Sequence, residues 1–320
     1  MPSALLRFVL RRAFRALVLV LAAASAAMVL VHLAPGDAFS TFDMDPVTAA
    51  AERARLGLDR PLFEQYVTWL SRLVLLDFGE STRFHRPVGT LLAERVGYTA
   101  LLGGAALVVA IGLGVPAGVL TGSDPRGWIT RALRAASLLL LATPPLVTAL
   151  VLLVLAAQSG WLPAGGYAGA AATGALDRAA DLLRHLPVPA LALGLPIAAS
   201  LERLQAQAMG AALNDPSIAA ARARGISRRR AVWVHALRLS APPVLAVVGI
   251  VVGTVLSGSF VVEIVMSWPG LGGLMFDALV ARDVYLAAGC ATVAALLLAI
   301  GILAADIGLA FADPRTAHLV

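Results

Sequence analysis

Six stretches of this chain are apolar over most of their length: approximately residues 16–33, 98–120, 135–157, 186–201, 242–266 and 285–311. No other feature constrains the fold as strongly. Hydrocarbon offers a backbone amide no partner, so a segment crossing a bilayer must bond its own peptide groups and needs roughly 20 apolar residues. Only 14% of the residues are charged, against about 25% in a typical soluble domain. The expected fold class is all-α, a polytopic membrane protein with about six transmembrane helices. The fourth stretch is short and carries Pro187, Pro189 and Pro196, which predicts a kink.

The first stretch follows Arg7, Arg11, Arg12 and Arg15 and contains AAASAA, as a cleaved secretory leader would. Its apolar run continues to Leu33, longer than a leader's core, so it is read as a retained span. Arginine placement sets the orientation. With the N-terminus inside, inner segments hold fifteen arginines, and the short outer loops hold Arg178, Arg184 and Arg282. The long outer segment, 34–96, has seven arginines against nine acids, and long loops translocate largely regardless of charge. Both termini are expected in the cytoplasm. Within the outer segment, LGLDRPLFEQYVTWLSRLV has helical spacing after Asp59 and Pro61 and reads as a small cap on the outer face. Residues 163–176 read as a mobile loop.

All 25 basic residues are arginine. A P-loop ATPase needs a lysine on the nucleotide phosphates, so this chain does not hydrolyse ATP through that motif. The single cysteine, Cys290, excludes an internal disulfide, and five scattered histidines form no metal-ligand cluster. Neither HExxH, GxSxG nor a helix-opening GxGxxG occurs. The chain is expected not to be an enzyme, to hold no metal and no cofactor, and not to bind nucleic acid. Its basic character fits arginine at the inner ends of spans.

Between the fourth and fifth stretches lies AAARARGISRRRAVWVHALR, with six arginines. Just before it, Asp215 and Pro216 form a strong helix start: a capping carboxylate, then a proline whose missing N–H costs nothing at the first helical position. The predicted helix runs to Arg224, where Gly225 stops it in the left-handed conformation. Ser227 then caps a second helix, Arg228 to about Arg238, with Trp233, Ala236 and Leu237 on one face. A nine-residue helix is marginal in water, where helices below roughly 12–15 residues barely form. The first helix therefore needs something to dock against, and its alanine surface permits close approach. A loop that only fixes topology would account for the arginines but not for two capped helices.

ARARGISRRRAVWVHALR resembles the EAA loop of permease subunits from ATP-binding-cassette importers for peptides and nickel. Further motifs are ordered as in that family: LLRFVLRRAFRAL, HLAPGD (32–37), LGLDRPLFEQYVTWL (56–70), DFGES (77–81), GWLPAGGY (160–167), LPVPALALGLP (186–196), SWPGLGGLMFDALVARD (267–283) and DPR (313–315). The likeness is to the first of the two permeases, the dipeptide/oligopeptide permease B-like branch of the binding-protein-dependent transport inner-membrane component family. It implies a type I importer permease fold, with residues 1–96 as an N-terminal span plus extracytoplasmic segment. Residues 97–315 would form the core permease domain, with the coupling loop at about 202–241. It implies a pathway shared with a second permease, two ATPase subunits that bind ATP and Mg, and an extracytoplasmic substrate-binding protein. The substrate class would be di- or oligopeptides or a related small solute, and the location the bacterial or archaeal inner membrane. The residues implied in ATPase coupling are Asp215, Pro216, Ala219, Ala220, Ala221, Arg222, Arg224, Gly225 and Ile226. The glutamate of the general EAA pattern falls at Ala219.

In the spans, Glu263 is an ionisable group in apolar surroundings, which marks either a pathway role or an internal hydrogen bond. With Trp268, Pro269, Gly270, Arg282 and Asp283 it forms an expected outer gate. The family tends to continue Tyr-Pro after Arg282-Asp283, whereas this chain has Val284-Tyr285. Gly114/Gly118 and Gly249/Gly253 have GxxxG spacing, which permits close helix contact. The rival to a permease subunit is a secondary transporter or channel working alone, but the sequence shows neither a clear inverted repeat nor a clear broken helix at mid-membrane.

Overall fold

A computed structural model describes residues 2–33, 45–167 and 174–312. Most of the HLAPGD motif (34–37), residues 168–173 of the glycine-rich loop and the DPR motif lie outside the described residues. Regular structure among the described residues is helical. In chain order the helices are α1 (Pro2–Leu33), α2 (Pro46–Leu56), α3 (Leu62–Leu73), α4 (Val88–Ser123), α5 (Trp128–Ala142), α6 (Pro145–Ser159), α7 (Ala175–His185) and α8 (Pro187–Leu213). They continue as α9 (Pro216–Ala223), α10 (Arg228–Arg230), a π-helical turn (Ala231–Ala236), α11 (Leu237–Ala246), α12 (Val248–Val265), α13 (Leu271–Val280) and α14 (Val284–Ala312).

Five helical segments are long and apolar enough to cross a membrane: Leu10–Leu33, Val88–Ser123, Leu176–Leu213, Val248–Val265 and Val284–Leu309. A sixth crossing would be α5 and α6 taken together, which meet at a bend of 113°. The single span expected over 135–157 is therefore corrected to a broken pair. Pro144 and Pro145 explain the break. Each proline restricts the residue before it to extended backbone, and Thr143 sits at φ −95°, ψ 129°. The fourth span is corrected in the other direction. Helix α8 continues past the expected end at 201 to Leu213, with Pro196 accommodated inside it. Helix α4 has 36 residues, about 54 Å at 1.5 Å per residue, well beyond a hydrocarbon core of about 30 Å.

The chain divides into two compact units. The first comprises Met1–Ala100 with Pro269–Ile300, so the later stretch 269–300 groups with the N-terminal segment. Its core gathers Met28 of α1, Trp69 of α3, Val88 and Leu92 of α4, Leu271 of α13 and Leu286 of α14. Arg55 of α2 holds Glu80 bidentately at 2.8 and 3.0 Å, and that hydrogen bonding keeps the Glu80 carboxyl below its usual range.

The second unit comprises Leu101–Trp268 with Gly301–Val320. Helix α8 is its axis, packed by α5, α6, α11 and α12. The part of α4 in this unit approaches α8 through Gly114, Gly118 and Gly122. A Cβ at these positions would stand 2.6 Å from the carbonyl oxygens of Ala198, Glu202 and Ala206 respectively. The pair Gly114/Gly118 is thus one part of a longer seam, GxxxGxxxG, that puts one backbone directly on another. The other expected pair differs: a Cβ at Gly249 would come no nearer than 4.0 Å, to Ile302.

Candidate functional site

The arginine-rich loop between α8 and α11 folds as its caps dictate. Asp215 adopts extended backbone and accepts the Ser217 amide at 2.8 Å, with Pro216 in the first turn of α9. Hydrogen bonds from the Ser217 side chain and then its amide hold the Asp215 carboxyl below its ordinary value. At the other end, Gly225 has φ +86°. Its amide donates to the Arg222 carbonyl at 3.0 Å, and the Ile226 amide donates to the Ala221 carbonyl at 3.3 Å. This paired 5→2 and 6→1 closure is the Schellman stop, which needs a left-handed residue at the position Gly225 occupies.

Helix α9 is held by few side chains. Ile218 is buried in a cluster with Val119, Met209, Ala231 and Ala236, Ile226 packs against its edge, and Ala221 is also buried. Arg228 donates to the Ser123 carbonyl at 3.2 Å, tying the following turn to the end of α4. The residues expected to meet an ATPase therefore separate. Pro216, Ala219, Ala220, Arg222, Arg224 and Gly225 are exposed, whereas Ala221 and Ile226 face the protein's own interior. Small residues and two guanidinium groups form the free face.

The second helix departs from expectation. Ser227 caps α10 through the Arg230 amide at 3.5 Å, but Ala231–Ala236 take a π turn and the helix runs on through α11 to Ala246 instead of ending near Arg238. The predicted face also splits: Ala236 is fully buried while Trp233 is exposed.

Beside the loop lies a residue that sequence reasoning passed over. Glu202 of α8 is 2% exposed, accepts the Thr121 hydroxyl through one carboxylate oxygen, and its other oxygen finds no hydrogen-bond partner among the described residues. It lines a cavity of about 520 Å³ together with Arg134 and Arg203. Arg134 in turn donates to the Thr121 carbonyl at 2.8 Å. The signal was present as an ionisable residue in a long apolar helix, but the expected span ended at 201.

The expected outer-gate residues are distributed over the two units. In the second unit, Glu263 is fully buried in α12, and its backbone carbonyl accepts the Trp268 amide at 2.8 Å. The Trp268 ring lies 6.4 Å from that of Tyr167, and the Gly166 amide donates to the Met266 carbonyl at 2.9 Å, so the GWLPAGGY and SWPG motifs meet. In the first unit, Pro269 is half-buried, and buried Gly270 precedes α13, whose first amide at Leu271 donates to the Thr99 hydroxyl at 2.8 Å. Asp283 is fully buried. It accepts the Ser81 hydroxyl at 2.6 Å, the Arg83 amide at 3.1 Å and the Leu286 amide at 3.0 Å. Such a carboxylate caps α14 and anchors the 77–87 segment; its oxygens are engaged inside the protein. Arg282 beside it is half-buried with φ +54°.

The family model described as "Binding-protein-dependent transport system inner membrane component" matches residues 114–318, which contain α9 and its glycine stop. The chain belongs to this family. The companion model for the N-terminal part of such membrane components matches residues 5–96. A putative peptide permease of Brucella suis is 34% identical over 319 residues, covering 97% of this chain and 99% of its own length. The oligopeptide transport system permease protein AppB of Bacillus subtilis is 33% identical, covering 96% and 98%. A glutathione transport system permease of Escherichia coli is 32% identical, covering 79% and 80%. The chain is thus a multi-pass permease subunit of an ATP-binding-cassette importer, in agreement with the resemblance of its motifs and with the all-α fold.

Proposed function

We propose that this permease forms half of a translocation pathway for di- or oligopeptides and that α9 is the helix through which a separate ATPase subunit drives it. The observation carrying this reading is the construction of α9: a short helix stopped at both ends, pinned on one side by Ile218 and Ala221, and bare on the other. A helix of eight residues gains little from its own hydrogen bonds. Its free face of alanines with Arg222 and Arg224 fits a groove carrying carboxylates or helix-end carbonyls. ATP and Mg are held by the ATPase partners, a second permease completes the pathway, and an extracytoplasmic binding protein delivers the solute. Arginine asymmetry favours both termini on the cytoplasmic side of the inner membrane. The peptide assignment is supported by the names of the Brucella and Bacillus relatives; the glutathione permease sets the breadth of solute the same scaffold serves.

The test is the double substitution Arg222→Glu, Arg224→Glu in the assembled importer. Transport into proteoliposomes is expected to collapse while membrane insertion is retained. Wild-type transport with normal ATPase association would refute the assignment. The purified chain by itself is expected to show neither ATP hydrolysis nor uptake, and uptake driven by an ion gradient would favour the lone-transporter reading.

A further inference from the structure

We infer that α3 and the turn after it lie in the lipid leaflet at the Leu33 end of α1 rather than in water as part of a soluble cap. Three observations within the first unit carry this.

The first is depth. Tyr66 of α3 shares a 2.7 Å hydrogen bond with Ser25, and Trp69 packs in the cluster that holds Ala24, Met28 and Val31 of α1. Ser25 precedes the end of the 24-residue span Leu10–Leu33 by eight residues, about 12 Å at 1.5 Å per residue. That span measures about 36 Å against a hydrocarbon core of about 30 Å, so Ser25 sits about 9 Å inside the boundary. A helix packed on α1 from Ala24 to Val31 is at leaflet depth.

The second is the pattern around α3. One sector, with Gln65, Trp69 and Tyr66, packs inward. The opposite sector is polar, with Glu64, Thr68, Ser71 and Arg72. Between them runs an apolar stripe at helical spacing, Phe63, Val67 and Val74, in which Phe63 is 76% and Val74 80% exposed, with half-buried Leu70 packed on the core at its edge. A helix with one face on protein, one apolar and one polar suits the membrane interface. On α1, Leu30 and Leu33 are exposed as well.

The third is the turn. The Leu76 amide donates to the Leu73 carbonyl at 2.9 Å and the Asp77 amide to the Arg72 carbonyl at 3.0 Å, a Schellman stop like that of α9. Here the left-handed position, φ +60°, is filled by Leu76 rather than glycine. A strained leucine, with Val74 and Leu75 beside it, puts three consecutive apolar side chains outward, each at least 77% exposed. In water this arrangement is unfavourable twice over, in backbone conformation and in exposed apolar surface. In hydrocarbon the second cost vanishes. With the orientation proposed above, the leaflet is the outer one.

The experiment places single cysteines at Val67, Leu75 and Glu64 in the assembled importer, each labelled with an environment-sensitive nitrobenzoxadiazole probe in phosphatidylglycerol-containing vesicles. Native Cys290 is fully buried and does not compete for the label. Probes at Val67→Cys and Leu75→Cys are expected to be quenched several-fold more by nitroxide-bearing lipid than by aqueous iodide, and Glu64→Cys the reverse. Dominant iodide quenching at both Val67 and Leu75 overturns the inference. Shielding of those two probes from iodide only when the binding protein is added also overturns it and assigns the face to that protein.

Discussion

Replacing Gly225 tests whether the end of α9 is set by backbone conformation or by contact with a partner. A Cβ built at Gly225 meets nothing within 4 Å, so no clash inside the chain enters the energetics. The whole cost comes from φ +86°. Holding an ordinary L-residue in the left-handed region costs about 1–2 kcal/mol, a factor of about 5–30 in the local equilibrium. If the residue escapes to another conformation, the Gly225→Arg222 and Ile226→Ala221 hydrogen bonds open and α9 loses its stop. Asparagine tolerates this region far better than β-branched residues. The expected order of retained coupling is therefore Gly, then Asn, then Ala, with Val last. Coupling is read as transport per ATP hydrolysed in proteoliposomes, with amide exchange at Ile226 reporting the stop directly. If loss of coupling follows side-chain volume, with Asn as damaging as Val and Ala harmless, steric contact with the partner governs this position and the conformational reasoning fails.

Other outcomes follow from the same geometry. Gly118→Leu drives a side chain into the Gln205 Cβ and the Glu202 carbonyl, at about 1–3 kcal/mol for overpacking; the thermal midpoint of the detergent-solubilised complex should fall. Gly104→Ala on the same helix, with nothing within 4 Å of its Cβ, should not lower that midpoint and should raise it slightly, since it removes a helix-interior glycine. Asp283→Ala strands the Ser81 hydroxyl and two backbone amides, at about 1–3 kcal/mol for each that stays buried without an acceptor. It should lower yield and stability while leaving the relative uptake of different peptides alone. The Asp215 cap should be pH-dependent in a definite sense. Its folded carboxyl titrates below the unfolded value, so the stabilisation is complete above that value and disappears as pH falls through the folded one. The protection of the Ser217 amide, its exchange rate relative to the unfolded chain at the same pH, should accordingly be unchanged from neutrality down to mildly acidic pH and fall only below the ordinary aspartate range. Loss of protection beginning at about pH 6.5, in the histidine range, would refute the assignment to Asp215.

What was legible in the sequence was local chemistry. Asp215-Pro216, Gly225 and Ser227 act on their immediate neighbours, so the start and stop of α9 could be read without the fold. Number and rough position of the spans followed from apolar runs. The break at Thr143 was written in Pro144-Pro145 but lay inside a run whose hydropathy masks it. Two alanines of one helix, Ala219 and Ala221, are chemically identical; only the way the helix packs, with Ile218 and Ala221 as its buried residues, turns the second inward. The π turn in AVWVHA has no residue signature, since it depends on how α8 and α9 meet the following helix. Asp283 was read with the outer gate because nothing local reveals its partner Ser81, 202 residues away in sequence.

The glycine seam also sets the stiffness of the second unit. Where two helices touch through side chains, rotamer changes can absorb a displacement. Gly114, Gly118 and Gly122 leave none to absorb it, since α4 bears directly on the carbonyls of α8 over about two helical turns. Helix α8 ends at Leu213, immediately before the Asp215 cap of α9. If α9 is the coupling helix proposed above, a push on it would reach the 114–122 part of α4 with little slack, as translation of a rod rather than rearrangement of side chains.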